Sequence, residues 1–385
     1  MTGDRGEIEL GPIRPPSEAT SLLLRVTRNC PWNDCAFCAV YKGSRFERRE
    51  VAEILMDIEA LAEAALRVRE RAGTEPFGAI DPGAALALVR DPRATEDERR
   101  VALWLARGGE HVFLQDADSL VLPADRLVPV LERLRERFPS VRRVTTYARS
   151  RTLRARSPEH LARLRAAGLT RIHVGVESGS NAVLEIIRKG CRAEHHVEGC
   201  TRAIDAGFEV CCYVMPGLGG RALSAVHAEE TAKVLRAIDP QHVRLRTLAI
   251  QPGSPLDEMR REGRFELLEE HEVVAEIRDL LRGLRGARGA VISDHDRNLL
   301  ADLEGRLEAD ADALEAVTSR FLDLDPRTRD AFVAARRAGY FLSVDAFLAA
   351  PCAVDQFAPL AEKLIALGEG SLVRGMERGF KFRPM

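Results

Sequence analysis

Short apolar runs alternate along this chain with longer segments whose apolar residues recur every three or four positions. The first run, SLLLRVT at residues 21–27, predicts a strand. Further strands are predicted at 112–115 (VFLQ), 141–147, 171–176 (RIHVGV), 208–215 (FEVCCYVM) and 242–250 (HVRLRTLAI). Between them lie segments of helical period. REVAEILMDIEALAEAALRVRER starts near Phe46, and PADRLVPVLERLRERF carries Pro123 at its start. Ser157-Pro158-Glu159 pairs an N-cap with a first-turn proline, and Gly168 closes that helix. AEHHVEGCTRAIDA ends at Gly207, and another helix precedes Asp239-Pro240. Residues 72–98 are rich in turn formers and read as an insertion.

Strands in strict alternation with helices imply parallel pairing through βαβ crossovers, with ligands at the C-terminal strand ends. Six such units are too few for a closed eight-fold barrel. The fold class expected is therefore α/β, a partial (β/α)6 TIM-like barrel with a mostly helical C-terminal region. The expected division is an N-terminal arm at 1–20, a core barrel at 21–254, and a helical region at 255–385 on the substrate side.

Composition narrows the class. Hydrophobic residues make up 45% and charged residues 30% of 385, the balance of a globular protein. No apolar run approaches the roughly 20 residues that span a bilayer, and the N-terminus lacks the layout of a secretion signal, so a cytoplasmic location without a membrane partner is expected. A formal net charge of −2 gives no support to a nucleic-acid partner. Eight cysteines in a chain of that location point to metal or catalysis more than to disulfides.

Three of the eight fall within nine residues, in Cys30-Pro-Trp-Asn-Asp-Cys35-Ala-Phe-Cys38. Pro31 stops a helix from running through the first, so the loop can wrap a compact multi-atom object. Thiolates suit iron–sulfur clusters, zinc or Cu(I). Structural zinc wants four protein ligands and an electron-transfer [4Fe-4S] cluster wants four Cys, yet the next cysteine is Cys191. Three ligands on a four-iron cube leave one iron open for a substrate or cofactor. Zinc with a distant His as fourth ligand is the alternative.

The segment resembles the radical S-adenosylmethionine (SAM) superfamily, whose usual signature is C-x3-C-x-aromatic-C after the first strand of a partial barrel. Phe37 fills the aromatic slot, where relatives pack the ring near adenine. One extra residue separates Cys30 from Cys35, and Asn33 or Asp34 is expected to bulge the loop. The resemblance covers roughly residues 20–310 and is nearest to proteins with an Elongator-subunit- or methylthiotransferase-like core. It implies a [4Fe-4S] cluster on Cys30, Cys35 and Cys38, with SAM chelated to the open iron.

Four loops at strand ends extend the resemblance. Asp116 or Asp118 in QDADS is placed to reach the methionine amino group of SAM, or else simply belongs to a turn. In Gly175-Val-Glu177-Ser178-Gly179-Ser180, Glu177 is placed for ribose hydroxyls. Ser178, Gly179 and Ser180 lead into a helix N-terminus with free N–H groups, and a pure capping role for the serines is the plainer reading. Pro216 and Gly217 in MPGLGG let a flat ring approach the backbone. LAIQPGSP at 248–255 looks like the last barrel loop. Gly108-Gly109-Glu110 precedes its strand and takes no cofactor role. Ser293–Asn298 (SDHDRN) resembles a segment of related proteins, and its plain reading is a capped helix start.

The implied activity is reductive cleavage of SAM to a 5′-deoxyadenosyl radical that abstracts hydrogen from an unknown substrate, fed by an electron donor such as ferredoxin or flavodoxin. The rivals are a non-catalytic iron–sulfur or zinc protein and, within the enzyme class, a tRNA-modifying enzyme. The substrate itself is not written in these motifs.

Overall fold

The computed structural model describes residues 7–74 and 79–379. Residues 1–6 of the expected arm, 75–78 of the expected insertion and the last six positions lie outside the described residues. The strands are β1 (Leu22–Arg25), β2 (Thr27–Arg28), β3 (Glu47–Arg48), β4 (His111–Gln115), β5 (Arg143–Ala148), β6 (Arg171–Glu177), β7 (Glu209–Val214), β8 (His242–Leu245), β9 (Ala290–Ile292) and β10 (Gly305–Arg306). The chain divides into two compact units: residues 1–34, 40–175 and 198–211 form the first, and 35–39, 176–197 and 212–385 the second.

In the first unit β1, β4, β5 and β6 run parallel, with Leu22 opposite Val112, His111 opposite Arg143, and Thr145 opposite Arg171. Parallel strands are covered on both faces, so they carry continuous apolar runs. Leu22, Leu24, Val112, Phe113, Leu114, Val144, Ile172 and Val174 are all buried. The helix Val51–Ala72 buries Ile54, Ile58, Leu61, Ala64, Ala65 and Val68 at three- and four-residue spacing. It begins at a Glu50/Glu53 capping box, later than the periodicity suggested, and stops at Gly73 in the left-handed conformation.

The stretch read as an insertion is instead structured. Helices Pro82–Arg90 and Glu96–Ala106 occupy it, capped by Asp81 and by a Thr95/Glu98 box. Pro82 and Gly83 stand in a helix's first turn, where Pro is tolerated because no hydrogen bond is lost.

In the second unit β8 pairs parallel with β9, and β9 antiparallel with β10. Val214 at the end of β7 accepts a 2.9 Å hydrogen bond from the Arg246 N–H. Helices Gly220–Ile238, Pro255–Arg261 and Glu270–Gly283 follow, then Leu307–Leu322, Pro326–Arg337, Val344–Ala349, Ala353–Leu367 and Leu372–Gly379. Phe321, Phe332 and Phe347 stack edge-on at centroid distances of 5.9 and 5.6 Å in the core of this helical region. The α/β reading with a helical C-terminal region holds: βα succession comes first, and helices dominate after 255.

Candidate functional site

In the first unit, the chain leaving β1 enters the cysteine loop through Asn29 and Asn33, both in the left-handed region at φ 67° and 48°. Asparagine is a residue type that tolerates this conformation. Asn33 Nδ2 donates to the carbonyls of Tyr41 and Ser44, and Lys42 Nζ donates to the Asn33 carbonyl at 2.8 Å. The Arg149 guanidinium lies 5.0 Å above the Trp32 ring. Cys30 is half-buried and free.

Asp116, at the end of β4, is fully buried. Its Oδ2 accepts from Arg25 Nη2 at 2.7 Å and from the Asn29 N–H at 3.1 Å, while its Oδ1 accepts from the Tyr41 hydroxyl. Both oxygens therefore hold protein donors at the start and end of the cysteine loop. Burial, followed by the adjacent Asp116 charge, pushes the Tyr41 phenol far above its ordinary value, so it stays a donor. Asp118 faces elsewhere: it is wholly buried, accepts from Thr152 Oγ1, and has Arg149 and Arg156 as charged neighbours. Burial raises its pKa to about 6, against the pull of those donors.

In the second unit, Cys35 and Cys38 are half-buried and flank Ala36 and Phe37. The Ala36 N–H donates to the Ile187 carbonyl at 2.8 Å and its carbonyl accepts from the Leu256 N–H at 3.0 Å, so this short piece is gripped from both sides. Phe37 packs on Val183, Leu184, Ile187, Met215 and Leu218. The Cys38 N–H donates to the Cys35 carbonyl at 3.3 Å.

Glu177 ends β6 at φ +63°, a conformation that is strained for a side chain with a Cβ. Its Oε1 lies 2.9 Å from Lys189 Nζ, both side chains being about one-tenth exposed. Burial opposes the Lys189 charge, but Glu177, Cys35 and Cys191 outweigh it and hold its pKa above the ordinary value. The same ammonium sits 5.7 Å from the Phe37 centroid. Lys189 thus gathers Glu177, Phe37 and Cys35 around one charge.

Ser178 and Ser180 are fully buried; Ser180 is the N-cap of the helix Asn181–Ile186, but its side chain makes no capping hydrogen bond. The Gly179 N–H donates to Thr231 Oγ1 at 2.8 Å and the Ser180 N–H to Ser178 Oγ at 3.0 Å. The Gly179 and Ser180 N–H groups are therefore taken. Ser180 Oγ is a buried hydroxyl with no protein partner. Gly179 is required for packing, since a Cβ would come within 2.6 Å of the Thr231 Cα. Pro216 accepts from the Leu248 N–H at 2.9 Å, and Gly217 takes φ +86° with its N–H 2.7 Å from Glu276 Oε1. Glu276, His227, Tyr41 and Arg25 did not stand out in the sequence.

Residues 88–234 match the model of the Radical SAM superfamily. Over those residues the chain is similar to the radical SAM superfamily. The matched residues run from the helix Pro82–Arg90 into the helix Gly220–Ile238, so the cysteine loop precedes them. Radical SAM proteins use a [4Fe-4S] cluster and SAM. The chain is also similar to the uncharacterised protein MJ0486 of Methanocaldococcus jannaschii, with 31% identity over 117 residues, 29% of this chain and 34% of that protein. It therefore spans about a third of that relative's length. Among solved structures, it is similar to coproporphyrinogen III oxidase (HemN) of Escherichia coli, at 16% identity over 68% of this chain and 50% of that one, TM-score 0.41. Methylornithine synthase (PylB) is 15% identical over 75% of both chains, TM-score 0.42.

The donor types fit the groups that radical SAM proteins use. Cys30, Cys35 and Cys38 are half-buried and in no disulfide, and Ser180 offers a buried hydroxyl that has no hydrogen-bond partner among the described residues. Among the described residues no three His, Cys, Asp or Glu side chains converge on a single ion. Thiolates around a four-iron cube each bind a different iron and need not converge. Among the same residues no helix is long and apolar enough to cross a membrane.

Proposed function

We propose that this protein is a radical SAM enzyme whose cluster is held by Cys30, Cys35 and Cys38. The observation that carries the reading is the setting of Cys35: in one unit it stands beside Phe37, under the charge of Lys189, which is itself paired with Glu177 at a strained strand end. Buried charge and backbone strain of this kind collect at functional sites. When bound, the cluster and SAM supply reductive cleavage of the S–C5′ bond and a 5′-deoxyadenosyl radical for hydrogen abstraction.

The chain's own residues bind and orient. Phe37 offers an apolar ring face for adenine, with Pro216 and Gly217 giving a side-chain-poor backbone. Glu177, fixed by Lys189, presents its second oxygen to ribose hydroxyls, and Ser180 Oγ offers a further hydrogen bond. Asp116 anchors the cysteine loop through Arg25, Asn29 and Tyr41, which replaces the cofactor contact its position suggested. Asp118, Ser178 and Gly179 support the neighbouring backbone.

Eight cysteines without a disulfide and an oxygen-sensitive group support a cytoplasmic setting, and a small reductant such as ferredoxin or flavodoxin is the electron donor of this reading. The substrate side is assigned to the helical region after residue 254. The test is anaerobic reconstitution followed by dithionite and SAM. Release of 5′-deoxyadenosine, lost in Cys35→Ala, is the expected result. Intact SAM at full iron loading would leave a non-catalytic iron–sulfur protein.

A further inference from the structure

Behind the two loops assigned to SAM lies a buried polar chain that the reaction does not use. Helix Gly220–Ile238 presents His227 and Thr231, four residues apart and so on one face, to the 177–180 loop. His227 Nε2 lies 3.2 Å from the Met215 carbonyl, which can only accept, so that nitrogen carries the proton. His227 Nδ1 then accepts from Ser178 Oγ at 2.8 Å, and Ser178 Oγ accepts from the Ser180 N–H. The imidazole is 2% exposed, and its burial lowers the pKa to about 4, consistent with this neutral tautomer.

On the same side, Glu276 of helix Glu270–Gly283 reaches the 215–220 loop. Its Oε1 takes the Gly217 N–H at 2.7 Å and lies 3.6 Å from His227 Nε2, while its Oε2 accepts from Ser224 Oγ. Gly217 needs its left-handed φ of 86°, and the Glu276 contact holds the N–H that this conformation turns inward. A carboxylate is costly to bury, and burial raises the pKa of the almost wholly buried Glu276 to about 7, against the Ser224 and Gly217 hydrogen bonds; among the described residues no cation is bound to it beyond the neutral imidazole. A merely structural acceptor would be served by an amide or a hydroxyl without that cost.

We propose that Glu276 and His227 are positioning residues that hold the Gly217 and Ser178–Ser180 loops in the geometry that receives SAM, and so set SAM affinity without touching the cluster ligands. The inference rests on the radical SAM reading of the same loops.

The test compares reconstituted wild type with Glu276→Leu, Glu276→Gln and Ser224→Ala. Three quantities are measured for each: iron content, SAM Kd by equilibrium dialysis, and the change that SAM causes in the EPR spectrum of the reduced cluster. Glu276→Leu is expected to keep its iron, to bind SAM about tenfold more weakly, the loss of one charge-assisted hydrogen bond in the loop, and to show a blunted EPR change. Glu276→Gln, which keeps the acceptor for Gly217, is expected to restore both. Should Glu276→Leu not fold, Ser224→Ala carries the test, with a weaker SAM Kd expected. Wild-type SAM binding in the variant that folds overturns the proposal, as does loss of iron in parallel with SAM. A wild type that loads iron and ignores SAM sinks the underlying reading first, and is told apart by that control.

Discussion

Replacing Lys189 by Met leaves Glu177 as a carboxylate about one-tenth exposed and without its cation. At 2.9 Å and an effective dielectric near 20, the direct attraction in the pair is about 6 kcal/mol. Most of that repays the desolvation of two charges, so the pair's net contribution is much smaller. Removing one partner is different in kind, because the remaining charge keeps its desolvation penalty. The expected cost of Lys189→Met is about 3–5 kcal/mol, whereas Glu177→Gln/Lys189→Met should fall within about 1 kcal/mol of wild type.

Anaerobic urea denaturation of the second unit's helical signal, at pH 8 and at pH 5, measures both. The sign with pH follows from the titrations. In wild type, Lys189 is held above its ordinary pKa, so the pair's stabilisation is complete through pH 8 and is lost only in strong alkali. The reasoning is refuted if single and double variants denature alike at pH 8, or if the wild-type pair's contribution is already lost between pH 5 and pH 8.

Three further outcomes are expected. Asp118 titrates near 6 when folded against 3.8 in the ordinary range, so its ionisation in the fold costs about 3 kcal/mol above pH 7; the stability of Asp118→Asn relative to wild type should rise between pH 4 and 7 and then level off, and a pH-independent difference would contradict this. Gly179→Ala drives a methyl into the Thr231 backbone, and thermal denaturation should show a loss of about 1–3 kcal/mol. Asp116→Asn leaves Arg25 short of its charge partner and weakens the hold on Asn29 and Tyr41, so reconstituted protein should retain clearly less iron than wild type while Glu276→Gln does not.

The strands were legible because a parallel strand covered on both faces must be apolar throughout, and runs such as VFLQ and FEVCCYVM have no other explanation. Ala290–Ile292 escaped because three apolar residues carry no period, and its strand character comes from pairing with β8. The helices at 82–106 escaped for a subtler reason. Asp81-Pro82-Gly83 was read as turn chemistry, when Asp at the cap and Pro at the first position are also how a helix starts.

The site divides along a similar line. Cysteine spacing is local, so three candidate ligands within nine residues are visible in the sequence. Asp116 and Asp118 are two residues apart and alike in every local respect, and what separates them is distant. Arg25 comes from 91 positions away to fill one, while Thr152 and a fully buried pocket claim the other. Glu276 is further from local legibility still: within HEVVAEIRDLLRG it has the look of one more solvated helix charge, and its partner Gly217 lies 59 residues earlier. A carboxylate that nearest neighbours in sequence do not explain, yet which folding buries against a glycine N–H, is held there by something other than helix stability. If that something is the loop that meets the cofactor, substitutions at Glu276 must move SAM affinity before they move the melting temperature, and the order of those two effects decides the matter.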